Sequence, residues 1–198
     1  MNRVHVALKS LNCDGRRGLA LLAACLLLLL LTIGGEGGRQ LLRYDRGGLA
    51  AGQWWRLLSA HLVHLDVHHA VLNSAGLALM WALFARDYSA KAWLAIVLAA
   101  MAAIDAGLWL GDSTVQWYVG SSGVLHGVMA AGTLARLRRG ERDGWVLAAA
   151  LAAKFAYEHW VGALPFSGRD PVVLDAHLYG ALGGAVAAAF LKPLTEPL

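Results

Sequence analysis

Six apolar stretches, each close to the length of a helix that crosses a bilayer, alternate with more polar connections along this chain. They run over about 18–34, 64–84, 91–110, 122–137, 145–163 and 175–192, near the short end of the ~17–25 residues a spanning helix needs. Backbone polar groups in hydrocarbon must be satisfied within their own segment, so apolar runs of this length are read as helices. The predicted fold is an all-α, polytopic membrane protein with six transmembrane helices, forming a single domain over residues 1–198. Composition agrees, with 58% of the 198 residues hydrophobic and 15% charged. The net charge of +4 is not a nucleic-acid signal, because Lys and Arg gather in particular loops as topology determinants do. Cys13 and Cys25 offer no disulfide framework. Lys9, Arg16 and Arg17 precede the run Gly18 to Ile33 without an obvious small-x-small cleavage site, so the first run is read as an uncleaved helix.

Residues 35–63 are too polar to span and carry Trp54, Trp55 and Arg56. A structured connection at the membrane interface is expected there. With six alternating spans, the basic residues Lys9, Arg16, Arg17, Arg86, Lys91, Arg136, Arg138, Arg139, Arg142 and Lys192 fall on one side, which is then cytoplasmic together with the N-terminus. Arg39, Arg43, Arg46 and Arg56 of the first external loop run against this pattern locally.

Under that topology the polar residues of the spans converge toward the outer side. Ser122 opens span four and His177 opens span six, while His69 and Asn73 lie in the first turns of span two. Asp105, Glu158 and His159 lie in the last turns of spans three and five. Ionisable groups in hydrocarbon are costly and mark a water-reachable functional cavity. A serine hydroxyl becomes a nucleophile when a base within about 2.6–3.2 Å takes its proton. Two helices come that close only through small side chains. Gly123 and Gly127 form a GxxxG beside Ser122, and His177, Gly180, Ala181, Gly184 and Ala188 share one helical face. Ordinary small-residue packing with an incidental serine and histidine explains the same pattern. His69, Asn73 and Gly76 share a face of span two. With the Ser122 N–H they could hold an oxyanion, or they could simply bond neighbouring helices.

The run Gly120-Ser121-Ser122-Gly123 resembles the GxSG nucleophile motif of rhomboid intramembrane serine proteases. Ala176-His177 followed by Gly180 and Gly184 is similar to their AHxxGxxxG segment, and His69 to Asn73 to their HxxxN motif. Trp55-Arg56 resembles the WR of their first external loop, and His64 a loop-facing histidine before the second helix. The likeness covers residues from about 54 to 188, with motif order and topology in agreement. It implies a six-helix rhomboid-like bundle, Ser122 as nucleophile, His177 as general base, and an oxyanion site formed by the Ser122 N–H, His69 and Asn73. It also implies a Ser–His dyad with no third member, no cofactor and no metal. Gly-Val-Leu-His-Gly after Ser122, in a compact six-span form, resembles the rhombosortase subfamily. That likeness implies membrane-embedded protein substrates of exported type, each with a C-terminal Gly-Gly motif, a transmembrane tail and a basic end. It further implies residence in a bacterial inner membrane with the active site toward the periplasm.

Other residues admit more than one reading. His126 stands where rhomboids usually carry a Tyr against the catalytic histidine, at i+4 from Ser122; it could pack, stack on His177, tune it or compete as base. His61, His64 and His68 share a face if helical, a spacing that can bind zinc, although no His-Glu-x-x-His is present. Lys154 and Glu158 are expected to neutralise one another at i,i+4, with a proton-pathway role as the alternative. Phe155, Tyr157 and Trp160 of span five suit either lipid packing or the lateral gate that the family resemblance suggests there. Asp105 is expected to pair with a neighbouring helix.

Overall fold

The computed structural model describes residues 18–163 and 173–194. Its helices are α1 (Gly18–Ile33), α2 (Gly35–Leu42), α3 (Arg46–Ala50), α4 (Arg56–Ser59), α5 (Val67–Phe84), α6 (Ala90–Ala106), α7 (Ser122–Arg138), α8 (Arg142–Trp160) and α9 (Leu174–Phe190). A π-helical turn, Gly107–Gly111, extends α6. Two short strands, β1 (Tyr44–Asp45) and β2 (Trp117–Tyr118), pair antiparallel with Tyr44 opposite Tyr118. The long helices coincide with the six expected apolar runs to within a few residues.

Length and apolarity alone pick out fewer spans than six. Among the described residues, α5 and α6 with its terminal turn pass both tests for crossing a membrane. The pair α1 and α2, bent by 110°, counts as a third if it is one span. Helices α7 and α9 carry glycine and histidine because they build the interior of the bundle, and α8 carries Lys154 and Glu158 toward it. Helix α1 shows the opposite character. It buries Leu28 alone and exposes Leu19, Leu22, Leu26, Leu27, Leu30 and Ile33, a surface suited to lipid.

The centre of the bundle is a glycine seam between α7 and α9. A Cβ on Gly123 would lie 2.7 Å from the Ala176 carbonyl oxygen, and one on Gly127 would lie 2.7 Å from that of Gly180. In return, Gly180 and Gly184 press on the carbonyls of Gly123 and Gly127. Helix α6 closes the seam from the third side through Ala100 and Ile104. The helix backbones therefore meet directly, and van der Waals contact between them replaces the hydrophobic drive that lipid removes. At the end of the bundle away from Ser122, Arg138 donates to the Ala188 and Leu191 carbonyls, capping α9. Asp87 sits beside Arg136 and Arg139 at the same end.

The segment between α1 and α5 is ordered by polar anchors, as expected of a structured connection. Asp45 caps α3 by accepting the Gly48 N–H, and that bond, with Arg43 beside it, holds its carboxyl below the usual range. The buried Arg56 guanidinium donates to the Gln40 and Arg43 carbonyls, both at 2.8 Å, and to Gln53 Oε1 at 2.6 Å. Arg46 reaches across to the Leu108, Trp109 and Asp112 carbonyls and so ties this segment to the end of α6. Truncating Arg56 to alanine leaves two carbonyls without partners and should cost about 3 kcal/mol. A lowered thermal midpoint in detergent would register the loss; an unchanged midpoint would mean the segment is held by other contacts.

Candidate active site

The loop before α7 is fixed from two directions. The Gly120 N–H donates to the Ala60 carbonyl at 2.9 Å, and the Tyr118 hydroxyl donates to the Gly120 carbonyl at 2.7 Å. Gly120 takes φ 117°, a conformation that L side chains rarely adopt, and the His69 ring lies 2.9 Å from where its Cβ would stand. A glycine is required there on both counts. Ser122 follows as the first residue of α7, and His177 occupies the first turn of α9.

Ser122 Oγ lies 3.0 Å from His177 Nε2. The glycine seam sets this distance, since Gly123 against Ala176 and Gly127 against Gly180 fix how closely the helices approach. His177 is buried, and its other nitrogen, Nδ1, lies 2.9 Å from Glu158 Oε1. Lys154 Nζ stands 2.6 Å from Glu158 Oε2 and 3.3 Å from His177 Nδ1. The expected Lys154–Glu158 pair is thus present, but the carboxylate also reaches the histidine. The sequence reading placed no carboxylate on His177, and the structure corrects it on that point. The available signal was that Glu158, in the last turn of α8, falls on the same side of the bundle as Ser122 and His177, in the first turns of α7 and α9.

His126 stacks on His177, with ring centroids 4.3 Å apart and an interplanar angle of 24°. Its Nδ1 is 2.7 Å from the Ser122 carbonyl oxygen, which only accepts, so this nitrogen carries a hydrogen and donates. That nitrogen is therefore no competitor for the serine proton. Phe155 lies near His126 at a centroid distance of 5.8 Å.

His69 and Asn73 line the same cavity as Ser122 and His177. His69 Nδ1 accepts the Leu65 N–H at 3.4 Å, which leaves the hydrogen of a neutral ring on Nε2. Asn73 Nδ2 donates one hydrogen to the His69 carbonyl at 3.0 Å; an amide nitrogen carries two. Asp66 caps α5 through the His69 N–H at 2.7 Å and so sets where the helix starts.

The remaining histidines find separate partners. His61 is fully buried and pairs with Asp105 at 3.3 Å, with the Tyr118 ring edge-on to it. Asp105 was expected to pair with a neighbouring helix; its partner lies instead on the irregular segment between α4 and α5. His64 Nε2 lies 3.3 Å from Ser121 Oγ, and its ring meets that of His69 edge-on. The zinc reading of His61, His64 and His68 gains no support: among the described residues, no group of three or more His, Cys, Asp or Glu is arranged to hold a metal ion.

The cavity has a volume of about 570 Å³ and lies between α5, α7, α8 and the segment 114–119. Leu72, Gly76, Met80, Leu125 and Met129 give it apolar walls, with Ser122 and His177 among its polar lining. On its α8 side the wall is loosely built. Helix α8 buries only Gly144 and Glu158 and exposes Trp145, Val146 and Trp160.

These features define a helical, multi-pass membrane protein in which a serine and a histidine from two tightly packed helices meet at an apolar cavity. Residues 51–194 match the rhomboid domain, and the chain belongs to the rhomboid family. It is similar to "Putative rhomboid protease YdcA" of Bacillus subtilis, at 23% identity over 137 residues, covering 69% of this chain and 67% of that protein. No solved structure matches the chain. Rhomboids are intramembrane serine proteases acting on membrane-embedded substrates, and the chain's function at that level follows from its family.

Proposed function

We propose that this chain is a six-span intramembrane serine endopeptidase of rhombosortase type, with Ser122 as nucleophile and His177 as general base. The contact of 3.0 Å between Ser122 Oγ and His177 Nε2, at the wall of an apolar cavity, carries the reading. Ser122 Oγ attacks the scissile carbonyl carbon and passes its proton to His177 Nε2. The resulting oxyanion is held by the Ser122 N–H, His69 Nε2–H and the second hydrogen of Asn73 Nδ2. Collapse breaks the C–N bond, and His177 returns the proton to the departing amine. Water, or a second nucleophile, then attacks the Ser122 ester and loses its proton to His177; the ester C–O bond breaks, and His177 passes that proton to Ser122 Oγ.

The substrate is an exported protein with a C-terminal Gly-Gly motif, a transmembrane tail and a basic end. Two features favour this: the rhombosortase-like Gly123 to Gly127 run, and the compact six-span form. The enzyme resides in the bacterial inner membrane with its N-terminus cytoplasmic and the site facing the periplasm, following the distribution of Lys and Arg. A general rhomboid protease is the alternative. A catalytically silent client-binding protein fits less well, because both reacting groups are present and in contact.

The test is co-expression with a reporter carrying such a tail, alongside a generic rhomboid substrate, with mass spectrometry of the new C-terminus. Wild type, His177→Ala and His126→Ala are run together. The expected result is reporter cleavage by wild type, lost in His177→Ala and largely kept in His126→Ala; the product mass separates hydrolysis from transfer. Cleavage of the generic substrate alone would discard the sorting-tail assignment. Cleavage of neither would favour the silent reading.

A further inference from the structure

Rhomboid chemistry as described above needs only a serine and a histidine, yet here a buried ion pair is spent on the far side of that histidine. Glu158 Oε1 lies 2.9 Å from His177 Nδ1, and its second oxygen lies 2.6 Å from Lys154 Nζ. Both carboxylate oxygens are therefore engaged, and Glu158 is buried. We propose that Glu158 is a positioning residue that fixes the tautomer and orientation of His177, making a Ser122–His177–Glu158 relay with Lys154 as its counter-cation. The proposal rests on the reading of Ser122 and His177 as the reacting pair.

The hydrogen bookkeeping leads to this assignment. Lys154 Nζ has only hydrogens to offer, so its approach to His177 Nδ1 at 3.3 Å is not what orients the ring when Nδ1 carries a hydrogen. The carboxylate is the acceptor within reach, and it draws the Nδ1 hydrogen toward itself. The lone pair of the neutral imidazole then falls on Nε2, facing Ser122 Oγ at 3.0 Å. This is the tautomer that can take the serine proton. When it does, the imidazolium forms between two groups already placed for it, with the negative charge of Glu158 at Nδ1. Lys154 offsets the cost of keeping that carboxylate ionised in the bundle, and a half-removed ion pair would leave a stranded charge. The ring is held on its face as well, by the stacked His126. In the plane of the ring it is held by Ser122 on one side and Glu158 on the other.

A purely structural role for Glu158, as partner of Lys154 alone, makes an opposite prediction that one variant separates. The experiment compares wild type, Glu158→Gln, Glu158→Asp and the double variant Lys154→Met with Glu158→Gln, purified in detergent. Two rates are read: kcat and KM on the tail reporter, and covalent labelling of Ser122 by a fluorophosphonate, which needs no substrate assignment. Glu158→Gln is expected to lower kcat and the labelling rate by about 100-fold or more at nearly unchanged KM. Glu158→Asp should recover part of that loss. The double variant has no stranded cation and should melt like wild type, yet remain as slow as Glu158→Gln. Recovery of wild-type rates in the double variant, or full activity in Glu158→Gln, would overturn the proposal and leave Glu158 a packing partner. Absence of Ser122 labelling in wild type would instead sink the underlying serine–histidine reading. Labelling without reporter cleavage would discard only the substrate.

Discussion

Replacing Ser122 by alanine is expected to abolish cleavage and fluorophosphonate labelling while leaving the bundle folded. The side chain loses one oxygen, whose recorded bond is to His177 Nε2. No helix cap depends on it, since the first turn of α7 is fixed by the Gly120 and Tyr118 bonds instead. The loss should reach about 10⁴-fold or more, as in enzymes whose nucleophile is removed. Circular dichroism and thermal melting in detergent should match wild type to within about 0.5 kcal/mol, the range of substitutions that break no special feature. Measurable cleavage by a folded Ser122→Ala protein would end the serine-protease reading, because no second hydroxyl is bonded to His177 among the described residues.

The second large effect falls on stability as well as rate. Gly180→Val places a branched side chain where even a Cβ overlaps the Gly123 carbonyl. Backbone cannot retreat as a flexible side chain can, so α9 must move away from α7. The cost should be at least about 3 kcal/mol, at the upper end of overpacking. The displacement also separates Ser122 from His177, so labelling of Ser122 should disappear even in protein that stays inserted. Gly37→Ala serves as control, since nothing lies within 4 Å of the position where its Cβ would be. An unchanged melt in Gly180→Val would show that the seam is more pliable than its glycines imply.

The helix starts and the close-packing face were legible in the sequence because both are local properties. Ser122 opens α7, His177 lies in the first turn of α9, and Gly123, Gly127, Gly180 and Gly184 recur at the spacing that puts them on one stripe. The contact of Glu158 with His177 was not legible. It depends on how α8 is rotated about its own axis, and large apolar residues such as Trp145 and Trp160 lie exposed while Gly144 and Glu158 are buried, so apolarity does not mark the face of α8 that turns inward. The pairing of Asp105 with His61 was half legible. Burial of a lone carboxylate demanded a partner, but the partner lies on the irregular segment before α5, where periodicity carries no information. The count of spans sits between these cases, because site-building helices trade apolar residues for glycine and charge and so weaken the hydropathy signal that identifies them.

The shallow burial of α8 has a mechanical consequence. Ser122 and His177 ride on α7 and α9, which are locked by backbone contact along the glycine seam, whereas Glu158 rides at the far end of a helix that meets the α7 backbone at Gly144, near its start. The two distances around His177 thus have different stiffness. A bilayer thinner or thicker than the bundle changes helix tilt, and packing against neighbouring helices decides how far each helix yields. Lipid length would then act as a rate dial, altering the histidine's outer contact while the serine contact and the melting temperature stay put.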